Sequence, residues 1–495
     1  MEKPKARASL IWLKVDPPRR WQDGAMTPQL PASALAALAF DADLVRKYDG
    51  FGPRYTSYPT ADRFTNAFGP EQFVSTLLGR RESAGVPQPL SLYVHLPFCN
   101  TICYYCACNK VVTKDHGRSA KYIRYLGREI GIVAGLIDAE SPVRQLHWGG
   151  GTPTFLSTEE MTELTRLLRD HFRFAPDAEC SIEIDPRKVT AETVVLLAEL
   201  GFNRMSLGVQ DFDSAVQQAV NRIQSEAETR LVLDAARANG FKSLNVDLIY
   251  GLPRQTVAGF AMTLSKLVEM APDRIALYSY AHVPHLFKPQ RRIDEAELPR
   301  PEDKLAILEQ AIDRLTAAGY VYIGMDHFAL AHDELALAQR RGTLQRNFQG
   351  YSTHGDCDLL AFGISAIGKV GTTYSQNVRT LDEYYERLDR GVLPCFRGVE
   401  LDVDDLVRRE VIGALMCGSA VDFRAIRATR GVEFTEYFAT ELDALAPLAA
   451  DGLVEIGADS IVVAPRGRLL MRTVAMVFDR HLREQRERAR YSRVI

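Results

Sequence analysis

From about Leu90 onward, apolar and β-branched runs alternate with helix-patterned stretches, the arrangement of a parallel α/β sheet. The strand candidates are Leu90–Leu96, Gln145–Trp148, Cys180–Ile184, Arg204–Gly208, Ser243–Ile249 and Arg274–Tyr280. Between them, apolar positions at three- and four-residue spacing predict helices over Ala120–Leu136, Glu159–Phe172, Ala191–Leu200, Glu226–Asn239 and Val257–Met270. Polar and glycine-rich residues gather where these strands end. A cysteine-rich loop follows the first, Gly149-Gly150-Gly151-Thr152-Pro153 the second, and Glu183-Ile184-Asp185-Pro186 ends the third. Gln210-Asp211 follows the fourth, Asp247 lies in the fifth, and Ala281-His282 follows the sixth. The C-terminal ends of strands are where α/β barrels place their chemistry. Six strands fall short of a closed eight-stranded barrel, so the expected fold is α/β: a partial, laterally open, TIM-like (β/α)6 barrel.

The pattern changes on either side of this barrel. From about Leu401 it predicts helices over Asp404–Leu415, Phe423–Arg427 and Tyr437–Ala449, then short strands Leu453–Ile456 and Ser460–Val463. That order is winged-helix-like, but Tyr437–Ala449 carries Glu441 and Asp443 and no Lys or Arg, so a lid or scaffold is expected in place of a DNA reader. The expected organisation is an extension over residues 1–26, an N-terminal arm over 27–82 and the barrel over 83–330. A substrate-covering extension of the barrel follows over 331–400, then a mainly helical domain over 401–495.

At 495 residues the chain exceeds the size at which one core stops growing, so more than one unit is expected. With 46% hydrophobic and 25% charged residues, its composition is that of an ordinary globular protein. A formal net charge of -3 provides no basic field for nucleic acid, and no apolar run approaches the ~20 residues of a membrane helix. The apolar stretch Leu10-Ile11-Trp12-Leu13 breaks at Lys14 and Asp16 before a signal-peptide core forms. The first residues therefore read as a disordered extension, and those before Met26 as a product of start-codon choice.

Half of the chain's 8 cysteines, Cys99, Cys103, Cys106 and Cys108, lie in one short run. Disulfides between such close neighbours would be strained, and unpaired thiols suit a reducing cytoplasm. Zinc sites more often use two CxxC pairs across a long loop, and no second pair exists. Soft thiolates select zinc or iron–sulfur clusters, and such clusters normally take four cysteines. A CxxxCxxC loop offering three leaves one iron open to a small molecule. Taken singly, the flanking motifs have plainer readings: a tight turn for Gly149–Gly151, a helix cap for Glu183, an arginine partner for Asp247.

In this order the motifs resemble the radical S-adenosylmethionine enzymes. Within that superfamily the chain is similar to the oxygen-independent coproporphyrinogen III oxidases, also called dehydrogenases. The resemblance is carried by Tyr93-Val94-His95-Leu96-Pro97-Phe98-Cys99 through Cys108-Asn109-Lys110, and by Gly52-Pro53-Arg54-Tyr55-Thr56-Ser57-Tyr58-Pro59-Thr60. His147-Trp148-Gly149-Gly150-Gly151-Thr152-Pro153-Thr154, Gly208-Val209-Gln210-Asp211-Phe212, Gly324-Met325-Asp326-His327-Phe328 and Arg346-Asn347-Phe348-Gln349-Gly350-Tyr351 also match. Together they span about Lys47 to His481.

The resemblance implies a 4Fe–4S cluster on Cys99, Cys103 and Cys106, with S-adenosylmethionine on the open iron surrounded by Tyr93, Gly149, Glu183 and Ile367. It implies a second S-adenosylmethionine near Tyr105, Gly150, Gly151, Gln210, Arg222, Asp247 and Ala281. Tyr105 departs from the family's usual phenylalanine but keeps an aromatic ring. Cys108 would be needed for activity without ligating the cluster. The implied reaction is oxidative decarboxylation of two propionates of coproporphyrinogen III to vinyls by a 5′-deoxyadenosyl radical, giving protoporphyrinogen IX for anaerobic haem biosynthesis. A low-potential donor such as flavodoxin or ferredoxin, a monomeric state and a cytoplasmic location go with it; nucleic acid and membrane do not. So anionic a substrate needs cations around it, and Arg54, Arg291, Arg292 and Arg346 are the candidates. The rival is a haem chaperone of the same superfamily, whose motif ends CxF and which lacks the 52–60 arm.

Overall fold

The computed structural model describes residues 38–82 and 87–484, so the expected extension over 1–26 and the start of the arm lie outside the described residues. All six predicted strands form: β1 (Leu90–Leu96), β2 (Pro142–Gly150), β3 (Arg173–Ile184), β4 (Arg204–Gln210), β5 (Ser243–Tyr250) and β6 (Arg274–Ser279). They pair in sequence order, each parallel to the next. Strands β2 and β3 begin earlier than the pattern predicted, and Gly149 and Gly150 are the last residues of β2 rather than part of the turn after it.

The sheet continues past both edges of this set. Beyond β6 run β7 (Tyr320–Gly324) and β8 (His327–Leu330), β8 pairing antiparallel with β6 and with β7. On the other side β9 (Asp358–Phe362) pairs parallel with β1. It leads antiparallel into β10 (Ile367–Val370), β11 (Thr373–Asn377) and β12 (Cys395–Glu400). The order is β12-β11-β10-β9-β1-β2-β3-β4-β5-β6-β8-β7, an open sheet of twelve strands. The barrel is thus partial, as expected, with residues 358–400 forming its second edge.

The two faces of this sheet differ in chemistry because strand residues point alternately to opposite sides. One face carries Leu92, Val94, Leu146, Trp148, Ile182, Met205, Leu207, Leu244, Val246, Ile275 and Leu277, all buried in the main core. Helices α1 (Gly117–Leu136), α2 (Thr158–His171), α3 (Ala191–Glu199), α4 (Glu226–Ala238) and α5 (Val257–Met270) connect the strands and cover it. Capping boxes at Ser157/Glu160 and Ser225/Glu228 start α2 and α4 by satisfying their free N–H groups. The opposite face carries Gln145, His147, Glu179, Ser181, Glu183, Arg204, Ser206, Asn245, Asp247 and Tyr278, which line a cavity of about 150 Å³. The interior of a TIM barrel is filled by branched apolar side chains; this one is polar and partly hollow. Its lower end is closed by charge pairs, Arg204 Nε–Glu179 Oε2 at 3.0 Å and Arg274 Nε–Asp333 Oδ2 at 2.8 Å.

After β12 come α7 (Val403–Gly418), β13 (Ala420–Asp422), α8 (Phe423–Arg430), α9 (Ala439–Ala450), β14 (Val454–Ile456) and β15 (Ser460–Val463); α6 (Pro301–Ala317) lies earlier, before β7. The helix predicted from Tyr437 is split, because Tyr437 ends a short turn of helix and α9 starts at Ala439. Strand β13 joins the predicted hairpin as a third strand. Glu441 is 2% exposed and accepts from Arg408 Nη1 at 2.8 Å. The apolar core here includes Tyr55 and Tyr58 of the arm and Ile323 of β7. It therefore fastens the arm to the edge of the sheet.

Helix α1 is anchored to the β9–β12 edge by a buried carboxylate. Glu129 accepts from Gly363 N at 2.8 Å, Asn377 Nδ2 at 2.7 Å and the Tyr384 hydroxyl at 2.6 Å. Burial outweighs these donors and pushes its pKa up to about 7. Glu129→Ala strands three buried donors, each costing ~1–3 kcal/mol if left unsatisfied. Partial relaxation leaves an expected loss of about 3 kcal/mol, read as a drop in Tm. Exposed Glu163→Ala on α2 should stay within about 0.5 kcal/mol.

Candidate active site

The cysteine loop leaves the C-terminal end of β1 and is held from three directions. Tyr104 N donates to Val220 O at 2.9 Å, and Asn221 Nδ2 donates to Ile102 O at 2.7 Å. Val111 N donates to Pro97 O at 2.8 Å, closing the loop's base, and Lys110 Nζ donates to the carbonyls of Cys106 (3.1 Å) and Cys108 (3.3 Å). Thr152 Oγ1 donates to Cys99 Sγ at 3.5 Å. Arg222 Nη1 lies 3.7 Å and Arg187 Nη2 3.8 Å from Cys103 Sγ. Burial pushes the Cys99 thiol up to about 11 against the pull of the Thr152 hydroxyl, and the charges of Cys106 and Cys103 add to the rise. Cys106 is drawn down, first by its hydrogen bond with Cys108 and then by Lys110, and the same bond drives Cys108 up. Among the described residues no three His, Cys, Asp or Glu side chains enclose a single metal-ion position. A cuboidal cluster is a larger body held at its corners, and three thiols with cationic and hydroxyl donors about them suit its anionic sulfur-rich surface.

Each glycine of Gly149–Gly151 has a neighbour that fills the space of a side chain. A Cβ on Gly149 would lie 2.9 Å from the Glu183 carboxylate, on Gly150 2.4 Å from the His95 ring, and on Gly151 2.5 Å from the Pro97 carbonyl carbon. Gly150 also has φ +110°, a conformation closed to other residues at low cost. Gly150 N donates to Glu183 Oε2 at 3.0 Å, and Gly151 N to Leu96 O at 2.8 Å. These glycines let β1, β2 and β3 close up, and two of their N–H groups are used in doing so.

Glu183 does not cap a helix; it faces His147, whose Nε2 lies 3.5 Å from Oε1. Burial would raise its pKa, but the His147 hydrogen bond and charge and the Gly150 N–H hold it below the usual range. The rings of Tyr93 and His147 stack at 5.9 Å, and the Tyr93 hydroxyl meets His95 Nδ1 at 3.0 Å. Asp247 has no arginine partner; Asn245 Nδ2 donates to it at 2.8 Å and Ser206 Oγ at 3.3 Å. Burial, aided by the charge of Glu183, pushes it up to about 7. Arg222 instead reaches Asp185 Oδ1 at 3.3 Å and Gly208 O at 2.6 Å, and its Nε is buried without a partner. Gln210 sits at φ +70°, a strained position for a side-chain-bearing residue, which directs the chain back across the barrel mouth.

Two predicted residues far apart in sequence are tied by one that the sequence reading missed. Gln290 Nε2 donates to Tyr105 O at 3.1 Å and Ala281 O at 3.2 Å. Ile367 begins β10, and the preceding turn is bound to β1 because the Tyr122 hydroxyl donates to His95 O and accepts from Ile364 N, each at 2.9 Å. Asn221, Gln290 and Tyr122 carried no motif, and Asp185 entered only as part of the end of the third strand; long-range contacts reveal what they do. Of the four candidate arginines, Arg291 and Arg292 are exposed on a short helical turn, whereas Arg54 and Arg346 lie inside against the rings of Tyr278 and Tyr351.

Residues 93–267 match the radical SAM superfamily, and residues 401–470 match the HemN C-terminal domain. The chain is 52% identical over 463 residues to the oxygen-independent coproporphyrinogen III oxidase of Pseudomonas aeruginosa, covering 93% of this chain and 100% of that one. It is 48% identical over 462 residues to the enzyme of that name from Escherichia coli K12, again covering 93% and 100%. The solved structure of coproporphyrinogen III oxidase (HemN) from Escherichia coli, described as a radical SAM enzyme, superposes with a TM-score of 0.86 at 46% identity. It covers 90% of this chain and 100% of that one. With its sequence and fold matched over the full length of these relatives, the chain belongs to the oxygen-independent coproporphyrinogen III oxidase family of the radical SAM superfamily.

Proposed function

We propose that this protein is an oxygen-independent coproporphyrinogen III oxidase. It would oxidatively decarboxylate two propionates of coproporphyrinogen III to vinyls, giving protoporphyrinogen IX in anaerobic haem biosynthesis. The observation that carries this reading is a three-thiol loop at the mouth of a hollow, polar barrel interior, in a chain that matches the named oxidases end to end. Cys99, Cys103 and Cys106 would hold a 4Fe–4S cluster, leaving one iron for S-adenosylmethionine beside Tyr93, Gly149, Glu183 and Ile367. When bound and reduced, this pair supplies a 5′-deoxyadenosyl radical as the hydrogen-abstracting agent.

The chain's own residues position and shield. Glu183, held ionised between His147 and Gly150 N, is a fixed acceptor for the ammonium or hydroxyl of a cofactor. Arg222, with a buried Nε to spare, can take a second carboxylate beside Asp185. Together with Tyr105, Gly150, Gly151, Gln210, Asp247 and Ala281 it would form the second S-adenosylmethionine site. Cys108 is exposed, and its thiol is tied to that of Cys106, so it lies beside the three proposed ligands. The haem-chaperone reading is disfavoured by Cys108 and by the arm at 52–60, whose Tyr55 hydroxyl is held by Asp479 at 2.9 Å. A flavodoxin- or ferredoxin-type donor, a monomer and a cytoplasmic site are part of the proposal. No described helix is long and apolar enough to cross a membrane.

Anaerobic reconstitution should yield about four irons and four sulfides per chain. Cys99→Ala, Cys103→Ala or Cys106→Ala should each lose them, while Cys108→Ala should keep them and lose turnover; cluster loss in the Cys108 variant would overturn the ligand assignment. With S-adenosylmethionine, a strong reductant and an electron acceptor, the holoenzyme should release carbon dioxide and form protoporphyrinogen IX. Tight haem binding without consumption of coproporphyrinogen III would hand the protein to the chaperone class.

A third test addresses cofactor number. The parent should bind two equivalents of S-adenosylmethionine and Asp247→Ala close to one. The weaker parental site should tighten as pH rises through about 7, where Asp247 ionises and can accept from an ammonium or ribose hydroxyl. A parent saturating at one equivalent would remove the second site while leaving the cluster chemistry intact.

A further inference from the structure

Three guanidiniums, those of Arg54, Arg346 and Arg472, gather on the inner side of β6 and β8. Arg54 pairs with Asp326 and lies over the Tyr278 ring, 5.8 Å from its centroid. Arg346 lies over the Tyr351 ring at 4.7 Å and donates through Nε to Arg54 O at 3.4 Å, while its Nη1 is buried without a partner. Arg472, 2% exposed, donates to Gly52 O at 3.2 Å and adds its charge to both. Asp49 contributes a field at Arg472, but among the described residues neither ion pairs nor hydrogen bonds give Arg346 a carboxylate. Burial, then the mutual repulsion of these guanidiniums, pulls Arg54 and Arg472 down to about 10. The same surroundings keep His327 neutral, and its Nδ1 too lacks a partner.

Burying a cation without a counter-charge is costly, so the open Nη1 of Arg346 calls for an anion. The location says which anion. Arg346 borders a cavity of about 720 Å³ that also takes in Tyr55, Asn347 and Lys369. Tyr278, His327 and Tyr351 border the cavity inside the barrel, together with Glu183 and Asp247. Arg346 thus stands where the two spaces meet, with donors on a flat fork that suits a carboxylate.

We propose that Arg346, with Arg54 beside it, is the carboxylate subsite that receives a propionate of the macrocyclic substrate and so sets which side chain is presented at the barrel mouth. The assignment rests on the functional reading above and narrows its substrate contacts to two residues on different segments. One of these, Arg54, is delivered by the arm, so carboxylate binding and arm placement are a single event.

The test is equilibrium dialysis of coproporphyrinogen III against the reconstituted holoenzyme without oxygen, with bound ligand quantified as coproporphyrin after oxidation. Arg346→Gln and Arg54→Gln should each weaken binding at least about tenfold at low ionic strength. Arg346→Lys, which keeps charge but loses the fork, should fall between Gln and the parent, and exposed Arg291→Gln should match the parent within about twofold. Iron content and S-adenosylmethionine equivalents, measured on the same samples, should not change. If Arg346→Gln cannot be reconstituted, Arg346→Lys and Arg54→Gln carry the comparison. Parental affinity in both Gln variants would overturn the subsite, and weakening in Arg291→Gln alone would move it to the surface. A parent that does not bind coproporphyrinogen III at all would overturn the functional reading instead.

Discussion

The inner face of the sheet is polar, and most of the molecule is arranged around that constraint. A strand buried on both sides normally carries apolar residues throughout, because each face packs against a layer of the core. Here Tyr93, His147, Glu183, Asn245 and Asp247 occupy the inward positions while Val94, Trp148, Ile182, Val246 and Leu248 occupy the outward ones. The inside therefore cannot supply the hydrophobic stabilisation that a filled barrel would. That work falls to the outer face and its helices, where burial is worth roughly 25 cal/mol per Å² of apolar surface. The polar groups must in turn be satisfied, and the lower interior does this with closed pairs: Glu179 is held down at about 2, burial being overcome by His354 and Arg204.

Toward the mouth the same satisfaction is left incomplete. Arg222 Nε and Arg346 Nη1 are buried without partners, and Asp247 is pushed up to about 7 by burial and by the neighbouring charge of Glu183. Perturbed and unsatisfied groups of this kind concentrate at functional sites. The pairs Arg204–Glu179 and Arg274–Asp333 mark the structural end of the interior, and the cysteine loop marks the chemical end. Strand direction imposes the same polarity, because the parallel strands all deliver their C-terminal loops to one side.

Much of this was legible in the sequence. The six strands, five helices and the cysteine loop followed from local pattern, since apolar spacing and turn residues are local properties. Glu183 and Gln210 stood out because they sit at strand ends, and Asp247 because it is a carboxylate within an apolar strand. The steric need for Gly149–Gly151 was not legible, because the groups they meet, Glu183, His95 and Pro97, lie far away in the sequence. Gln290, which ties Tyr105 to Ala281, lies 185 residues from Tyr105 and shows no local signal. The β9–β12 edge was passed over for a similar reason: its strands are four to six residues long and become strands only by pairing with β1 and with one another.

The arm and the C-terminal domain are one device in physical terms. Tyr55 and Tyr58 belong to the core of α7 and its neighbours, the Tyr55 hydroxyl is held by Asp479, and Arg472 donates to Gly52 O. Those contacts fix residues 52–58 on either side of Arg54, whose guanidinium then enters the barrel against Tyr278. Without the domain, the arm would be a segment of two prolines and two tyrosines with no packing of its own. Without Arg54, the domain's clamp would have nothing to deliver. A domain whose helix α9 carries no Lys or Arg thus acquires a role through what it holds in place, and its buried Glu441–Arg408 pair serves that rigidity.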